Sequence, residues 1–362
     1  MNDFGHGGNI HQVQARLKRR VIDFSASINP LGCPPAVKPA LKNALDAVVH
    51  YPDCRAEPLV EALAAWQRVD ARNILAAAGS IELIYLVTRA FACRRVTIVV
   101  PAFSEYERAA RSAGSRINFV YLKKTDDFCL DLSRLPPEVR QAPPADMLFL
   151  GNPNNPTANL LLDNRVKIEK LPFRKIVIDE AFMDFIDDEK RFSFIRAAQR
   201  SRKIIVLRTL TKIFALAGLR VGYAVASKDN IARLKRFQPP WSVSSLAQAA
   251  AGAAIKDRKF LAFSRKYLSG EKKFLREAFS RIDGLKAWPG QANFVLLQIL
   301  DKRFDAASLR RKLLERGILV RDCANFRGLN KRFIRVAVSS RGNNQALVKA
   351  FGEFLCKNQR RS

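Results

Sequence analysis

The run Lys203-Ile204-Ile205-Val206-Leu207-Arg208-Thr209-Leu210-Thr211-Lys212 narrows most what this chain can fold into. Its apolar half reads as a buried strand, it closes on two threonines and a lysine, and a second strand starts at Arg220, eight residues beyond the lysine. Most lysines lie on solvated faces. Lys212 instead stands where a buried strand gives way to a tight turn, flanked by small hydroxyls and followed by Gly218 and Arg220. An idle surface role is therefore the weaker reading.

The rest of the chain repeats this pattern. From Ala56 the spacing predicts a helix over 56–69, a strand over 74–78, a helix over 80–93, a strand over 96–100 and a helix from Glu105, with strands following at 118–122, 147–150 and 175–178. Strands alternating with helices imply an α/β fold with a mostly parallel sheet covered on both faces. Helices at 247–255 and 260–282 follow, then a strand at 294–300, a helix at 306–316, strands at 318–322 and 333–338, and a last helix at 344–354. The domain reading is an N-terminal arm that is part of a small domain (1–47), a large domain (48–256), a connecting helix (257–283) and a C-terminal small α+β domain (284–362).

Composition enters mainly as exclusion. With 362 residues, 48% hydrophobic and 27% charged, the chain is an ordinary globular sequence long enough for more than one domain. No apolar run reaches the length of a membrane span and the first residues lack a basic, then apolar, leader, so a cytoplasmic location without membrane contact is expected. Six cysteines without close pairs and three histidines give no metal-ligand spacing; the thiols are read as reduced. A net charge of +30 raises nucleic acid as a partner, but the basic residues are scattered and lack interleaved aromatics, so no nucleic-acid function is expected.

Four further stretches can be set beside Lys212. Gly79 and Ser80 fall at a strand-to-helix junction, where backbone N–H groups and the helix dipole favour an anion, although a plain Ser80 cap explains them too. Gly151-Asn152-Pro153-Asn154-Asn155-Pro156-Thr157 puts two Asn-Pro pairs at a strand end. Ile176-Val177-Ile178-Asp179-Glu180 ends an apolar strand in two acids, and a carboxylate there is costly unless a cation or donor meets it. In Phe333-Ile334-Arg335-Val336-Ala337 an arginine interrupts an apolar strand, and a guanidinium suits a carboxylate.

The order and spacing of these stretches, from about Asp23 to Phe354, resemble fold-type I pyridoxal phosphate enzymes, the aspartate aminotransferase superfamily. The resemblance implies an aspartate aminotransferase-like fold with a seven-stranded, mostly parallel sheet, and pyridoxal 5'-phosphate as cofactor. It also implies the site residues. Lys212 bonds the cofactor aldehyde; Arg220, with Gly79, Ser80, Thr209 and Thr211, holds its phosphate. Asp179 keeps the ring nitrogen protonated, Asn155 meets the ring hydroxyl oxygen, Tyr106 stacks on the ring, and Arg335 takes the substrate carboxylate. Tyr51, in His50-Tyr51-Pro52-Asp53, matches a tyrosine that reaches the cofactor phosphate of the other subunit, which implies a homodimer. Two positions depart from the wider family: Ala158 stands where glycine is usual after Thr157, and Phe182 where aminotransferases commonly have tyrosine.

Within that superfamily the chain is similar to histidinol-phosphate aminotransferases and, more so, to the L-threonine O-3-phosphate decarboxylases of cobalamin (vitamin B12) synthesis. The features are Gly5-His6-Gly7-Gly8-Asn9, Phe24-Ser25-Ala26-Ser27-Ile28-Asn29-Pro30, Asp179 to Phe185, Gln238 to Val243 and Val320 to Leu329. The resemblance implies a carboxy-lyase forming (R)-1-amino-2-propanol O-phosphate from a small phosphorylated amino acid. Arg321, Gly7 and Gly8 then bind the substrate phosphate, His6 to Asn9 form a lid, and Asn29 faces the substrate.

Overall fold

In the computed structural model, residues 7–135, 137–140 and 146–355 are described. Thirteen strands are found among them. They are β1 (Ile22–Asp23), β2 (Ile74–Ala77), β3 (Arg95–Val100), β4 (Arg116–Tyr121), β5 (Met147–Gly151), β6 (Lys175–Asp179), β7 (Ile204–Thr209), β8 (Gly222–Ala226), β9 (Leu285–Ala287), β10 (Phe294–Ile299), β11 (Ile318–Leu319), β12 (Arg321–Asp322) and β13 (Phe333–Ala337).

Seven of these form one sheet in the order β2-β8-β7-β6-β5-β3-β4. Only β8 runs against its neighbours; the other pairings are parallel. Every residue of β5, β6 and β7 is buried, which is why these strands read as unbroken apolar runs. The edge strand β4 begins at an exposed arginine and ends at an exposed tyrosine, as an edge facing water does. Parallel register carries Gly151 opposite Asp179 and Asp179 opposite Leu207, so the ends of β5, β6 and β7 come out at one edge of the sheet. Open α/β sheets hold their ligands outside this carboxyl edge.

A second, antiparallel sheet has the order β12-β13-β10-β9. The helix Arg258–Ser280 leads into it from the large sheet, and Ala306–Glu315 and Arg341–Leu355 cover it. The segment expected as a single strand over 318–322 divides between two partners: β11 pairs with β1 in parallel and β12 pairs with β13. The N-terminal segment is thereby stitched in. Phe24 N–H donates to Leu319 O at 2.7 Å, and Ala337 N–H to Phe24 O at 2.8 Å, which places Ser25 to Ser27 across the mouth of the large sheet's carboxyl edge. Among the described residues, no helix is long and apolar enough to cross a membrane.

Candidate active site

A cavity of about 240 Å³ opens at that edge, walled on one side by the large sheet and on the other by Arg321, Phe326, Arg335 and the Gly7 and Ser25–Ser27 segments. Ser80, Tyr106, Asn155, Asp179, Thr209, Thr211, Lys212 and Arg220 line it with them. Most of the residues singled out in the sequence are thus brought together, although they span more than three hundred positions.

At one end lies a cradle for an anion. The helix Gly79–Phe91 starts at Gly79, whose φ is +82°, and a Cβ there would lie 2.9 Å from a terminal nitrogen of Arg220. Only a glycine lets the guanidinium lie against the helix N-terminus. Gly222 serves the same closeness from below, since a Cβ on it would lie 2.9 Å from Ser80 N. Arg220 itself has a left-handed φ of +54°, uncommon for a residue with a side chain and a form of strain that clusters at functional sites. Thr209 Oγ1 and Thr211 Oγ1 are 2.9 Å apart beside it. The Gln238–Ser242 stretch proves to be the buttress of this helix start: Gln238 Nε2 donates to Ala76 O at 2.8 Å and Ser242 Oγ to Glu82 at 2.7 Å. Helix N–H groups, two hydroxyls and one guanidinium make a donor set suited to a phosphate.

At the other end Asp179 is buried, and burial raises its carboxyl above the usual range. Tyr106 O–H donates to Asp179 Oδ2 at 2.7 Å, and Ala181 N–H to Oδ1 at 3.0 Å. Lys212 is half-buried; burial and the nearby Arg335 and Arg220 lower its ammonium to about 8, so a neutral amine is accessible near neutral pH. An anion cradle, a buried carboxylate and a softened amine fit, in that order, the phosphate, ring nitrogen and aldehyde of pyridoxal 5'-phosphate.

The opposite wall carries two cations. Arg321 and Arg335 are direct cross-strand partners, and both are buried. Arg335 donates to Asn155 Oδ1 and, at 2.8 Å, to Ser25 O, while its Nε has no hydrogen-bond partner among the described residues. Arg321 donates to Asn325 Oδ1 at 2.7 Å and lies 5.1 Å from the Phe326 ring centroid.

Some expectations are redrawn. Tyr106 has one ring face already stacked on Phe149, at 5.3 Å and 19°, and its hydroxyl grips Asp179; that second role was not read from the sequence. Asn29 is not on the cavity wall. Its amide donates to Ile213 O at 2.8 Å and Ser264 Oγ at 2.9 Å, and its N–H to Lys212 O at 3.0 Å, so it braces the lysine turn from behind. Gly7 lines the cavity with no room for a side chain, since a Cβ would fall 2.2 Å from Ser25 O. The Gly8 N–H is engaged by Ser25 Oγ at 2.9 Å, and Asn9 begins the helix Ile10–Leu17 away from the wall. His6 lies outside the described residues. Tyr51 is 80% exposed, stacks on Trp241 at 4.6 Å and is not among the lining residues. Phe182 lines the cavity without a hydroxyl, edge-on to Phe294. The alanine at 158 keeps the turn a glycine would make, at φ +62°.

Residues 19–351 match the family described as aminotransferase class I and II. A threonine-phosphate decarboxylase of Salmonella typhimurium is 39% identical, over 97% of this chain and 96% of its own length. A histidinol-phosphate aminotransferase of Moorella thermoacetica is 36% identical, over 96% and 89%. Among solved structures, an L-threonine-O-3-phosphate decarboxylase from Porphyromonas gingivalis superposes with a TM-score of 0.82 at 28% identity, covering 92% of this chain and 98% of that one.

Proposed function

Because this chain belongs to the class I and II aminotransferase family, with its aspartate aminotransferase-like fold and pyridoxal 5'-phosphate as cofactor, we propose that it decarboxylates L-threonine O-3-phosphate. The products are carbon dioxide and (R)-1-amino-2-propanol O-phosphate, and the pathway is cobalamin synthesis. The observation that carries the reading is the buried pair Arg321 and Arg335. Like charges directly opposite on neighbouring strands repel, and a substrate with a carboxylate at one end and a phosphate at the other offsets both.

The bound cofactor supplies an electron sink for the carbanion left at the substrate Cα. The chain's own residues do the rest. Arg220, Ser80, Thr209, Thr211 and the N–H groups of Gly79–Phe91 hold the cofactor phosphate, and Asp179 holds a proton on the ring nitrogen, with Tyr106 fixing the carboxylate's orientation. Asn155, kept in place by Arg335, faces the ring hydroxyl. Arg321 binds the substrate phosphate and Arg335 its carboxylate. Two N–H bonds of Arg335 are already engaged by Asn155 and Ser25, so its grip on the carboxylate is partial. A partial grip suits this reaction, since the negative charge it meets leaves in the transition state. Lys212, lowered to about 8, returns a proton to Cα. Phe182 offers no hydroxyl to the ring oxygen, which fits a lyase better than a transaminase.

A homodimer completes this proposal. Leu45, Val48, Val49, Tyr51 and Trp241 are exposed together on the large-sheet side, an apolar surface suited to a second copy whose cofactor phosphate Tyr51 would reach.

Purified holoenzyme given L-threonine O-3-phosphate should release carbon dioxide with no 2-oxo acid present. Turnover that requires a 2-oxo acid would instead assign an aminotransferase acting on a histidinol phosphate-type substrate. Borohydride should fix the cofactor to the wild-type chain and not to Lys212→Ala.

A further inference from the structure

Residues 323–329 leave the small sheet after β12 and cross onto the large sheet, carrying Phe326 to the cavity wall and Asn325 against Arg321 of β12. Cys323 and Phe326 root the strap in the core, while Ala324, Asn325, Arg327 and Gly328 lie exposed between and beyond them. A second cleft of about 410 Å³ separates Ala324–Leu329 from Val100, Phe103, Ser104 and Phe119 beneath it. Gly328 crosses there with a φ of +89°, close to Tyr121 and Pro101.

An ion pair spans the cleft. Arg327 Nε donates to Glu107 Oε2 at 3.1 Å and its terminal nitrogen to Glu107 Oε1 at 3.0 Å, a two-toothed grip, while its guanidinium covers the Phe119 ring at 4.2 Å. Glu107 is pre-oriented from its own helix, Ser104–Ser112, by Arg111 at 2.7 Å. The two arginines together hold the Glu107 carboxyl below its usual range. Both ends of the contact have a neighbour in the cavity: Phe326 precedes Arg327, and Tyr106, the donor to Asp179, precedes Glu107.

We infer that Glu107 and Arg327 are positioning residues, a latch that holds the 323–329 strap over the cavity and so sets the affinity for the anionic end of the substrate. Neither side chain lines the cavity, so the latch acts through Arg321 and Phe326. A lone exposed ion pair contributes little, but here the fork is bidentate and the arginine is stacked, so it adds to the anchoring that Phe326 gives from the core side. The inference rests on the cavity being the substrate site, not on which reaction follows.

The test uses holoenzyme with Arg327→Met, which keeps the stem over Phe119 and removes the fork. KM for L-threonine O-3-phosphate should rise about three- to ten-fold with kcat within two-fold. Affinity for pyridoxal phosphate should be unchanged, and amide exchange over 323–329 should speed up. Glu107→Gln should act in the same direction, the double variant should be no worse than the stronger single one, and Arg327→Lys should recover part of the loss. Additive losses, or a lower kcat at unchanged KM, would overturn the latch. So would unaltered exchange across the strap. If the wild-type enzyme does not turn over L-threonine O-3-phosphate, the proposed function falls, while the exchange experiment still decides the latch.

Discussion

Two arginines of this chain are buried within a few residues of the same cavity, and their surroundings could hardly differ more. Arg208, on β7 one residue before Thr209, is fully buried and bonds Glu180, Asp184 and Glu189, each at 2.8 Å, and Ser193 at 3.0 Å. Arg265 of the connecting helix closes the cluster on Glu189 at 2.6 Å. Arg335 is as deeply placed, yet among the described residues none of its hydrogen bonds goes to a carboxylate, its Nε is unpartnered, and its strand neighbour is another arginine. A buried cation whose counter-charge belongs to the protein ties elements together. One whose counter-charge is missing from the protein is a place for an anionic ligand. Arg208 thus fixes the strand ends that carry Asp179 and Thr209, and Arg335 is the cation we assign to the carboxylate of the proposed substrate.

Truncating each arginine should separate the two roles, and the stability of Arg208→Met is the largest effect expected. Removing the central cation leaves Glu180 and Asp184 buried without it, which costs about 3–5 kcal/mol in denaturant unfolding. Burial already raises Glu180 to about 7 and Asp184 to about 6, and loss of Arg208 raises both further. Carboxyls with raised folded pKa values stabilise the fold while protonated and lose that contribution as pH climbs through those values. The deficit of Arg208→Met should therefore be smaller at pH 5.5 than at pH 8. A pH-independent deficit would mean that the cluster is not what the mutation disturbs.

Arg335→Met should do the reverse. Its stability should stay within about 1 kcal/mol of wild type, since an apolar replacement for a poorly compensated buried charge is often neutral. Substrate binding should weaken by about 1.5–3 kcal/mol, read as KM on any α-amino acid substrate. Arg321→Ala should lose one to two decades on L-threonine O-3-phosphate and little on unphosphorylated L-threonine. Equal losses on both would make Arg321 a support of the strap and send the phosphate elsewhere.

How far the sequence foretold this depends on what each residue's position is set by. Asp179, Thr209 and Lys212 were legible because parallel strands buried on both faces are unbroken apolar runs, and polar residues at their ends stand out. Arg321 and Arg335 could each be marked, but not their pairing, because register in the small sheet depends on the turn at 323–332, which carries no periodic signal. The grip of Tyr106 on Asp179 joins residues 73 positions apart. Asn29 was misdirected because a turn beside a proline fixes the backbone, whereas the partners that captured its amide, Ile213 and Ser264, lie on distant elements.

Lys212 belongs with Arg335, as a cation that no carboxylate meets directly among the described residues; Asp179 offsets it only in part. Its folded pKa of about 8 lies below the ordinary 10.5, so below pH 8 the native state bears the cost of a half-buried charge. Above 8 it sheds the proton before the unfolded chain does, and stability rises with pH until about 10.5. Lys212→Met should therefore stabilise the cofactor-free protein by about 1–2 kcal/mol at pH 7, with the gain shrinking towards pH 10. The rate at which cofactor-free wild type captures pyridoxal phosphate should rise through about pH 8, as the neutral amine appears. A rate flat from pH 7 to 9 would place the amine's pKa elsewhere.

The smallest effect tests whether conformational strain in the turn that follows Asn155 is borne locally. Ala158 holds a left-handed φ of +62°, where its Cβ is disfavoured. The turn survives because it is pinned on both sides. Ala158 N–H donates to Asn154 O at 2.8 Å, Ala158 O accepts from Gln291 N–H at 2.6 Å, and a Cβ on the facing Gly290 would lie 2.4 Å from the Ala158 methyl. Ala158→Gly relieves the φ penalty but gives the unfolded chain more freedom, so the net gain should be only about 0.5 kcal/mol, read from the denaturation midpoint, with activity unchanged. Gly290→Ala should cost several times as much, because two methyl groups cannot share that space. If Ala158→Gly instead lowered activity, the methyl would be helping to seat Asn155 for the cofactor, and this turn would belong with Arg335 and Lys212 among the parts proposed to meet the ligand.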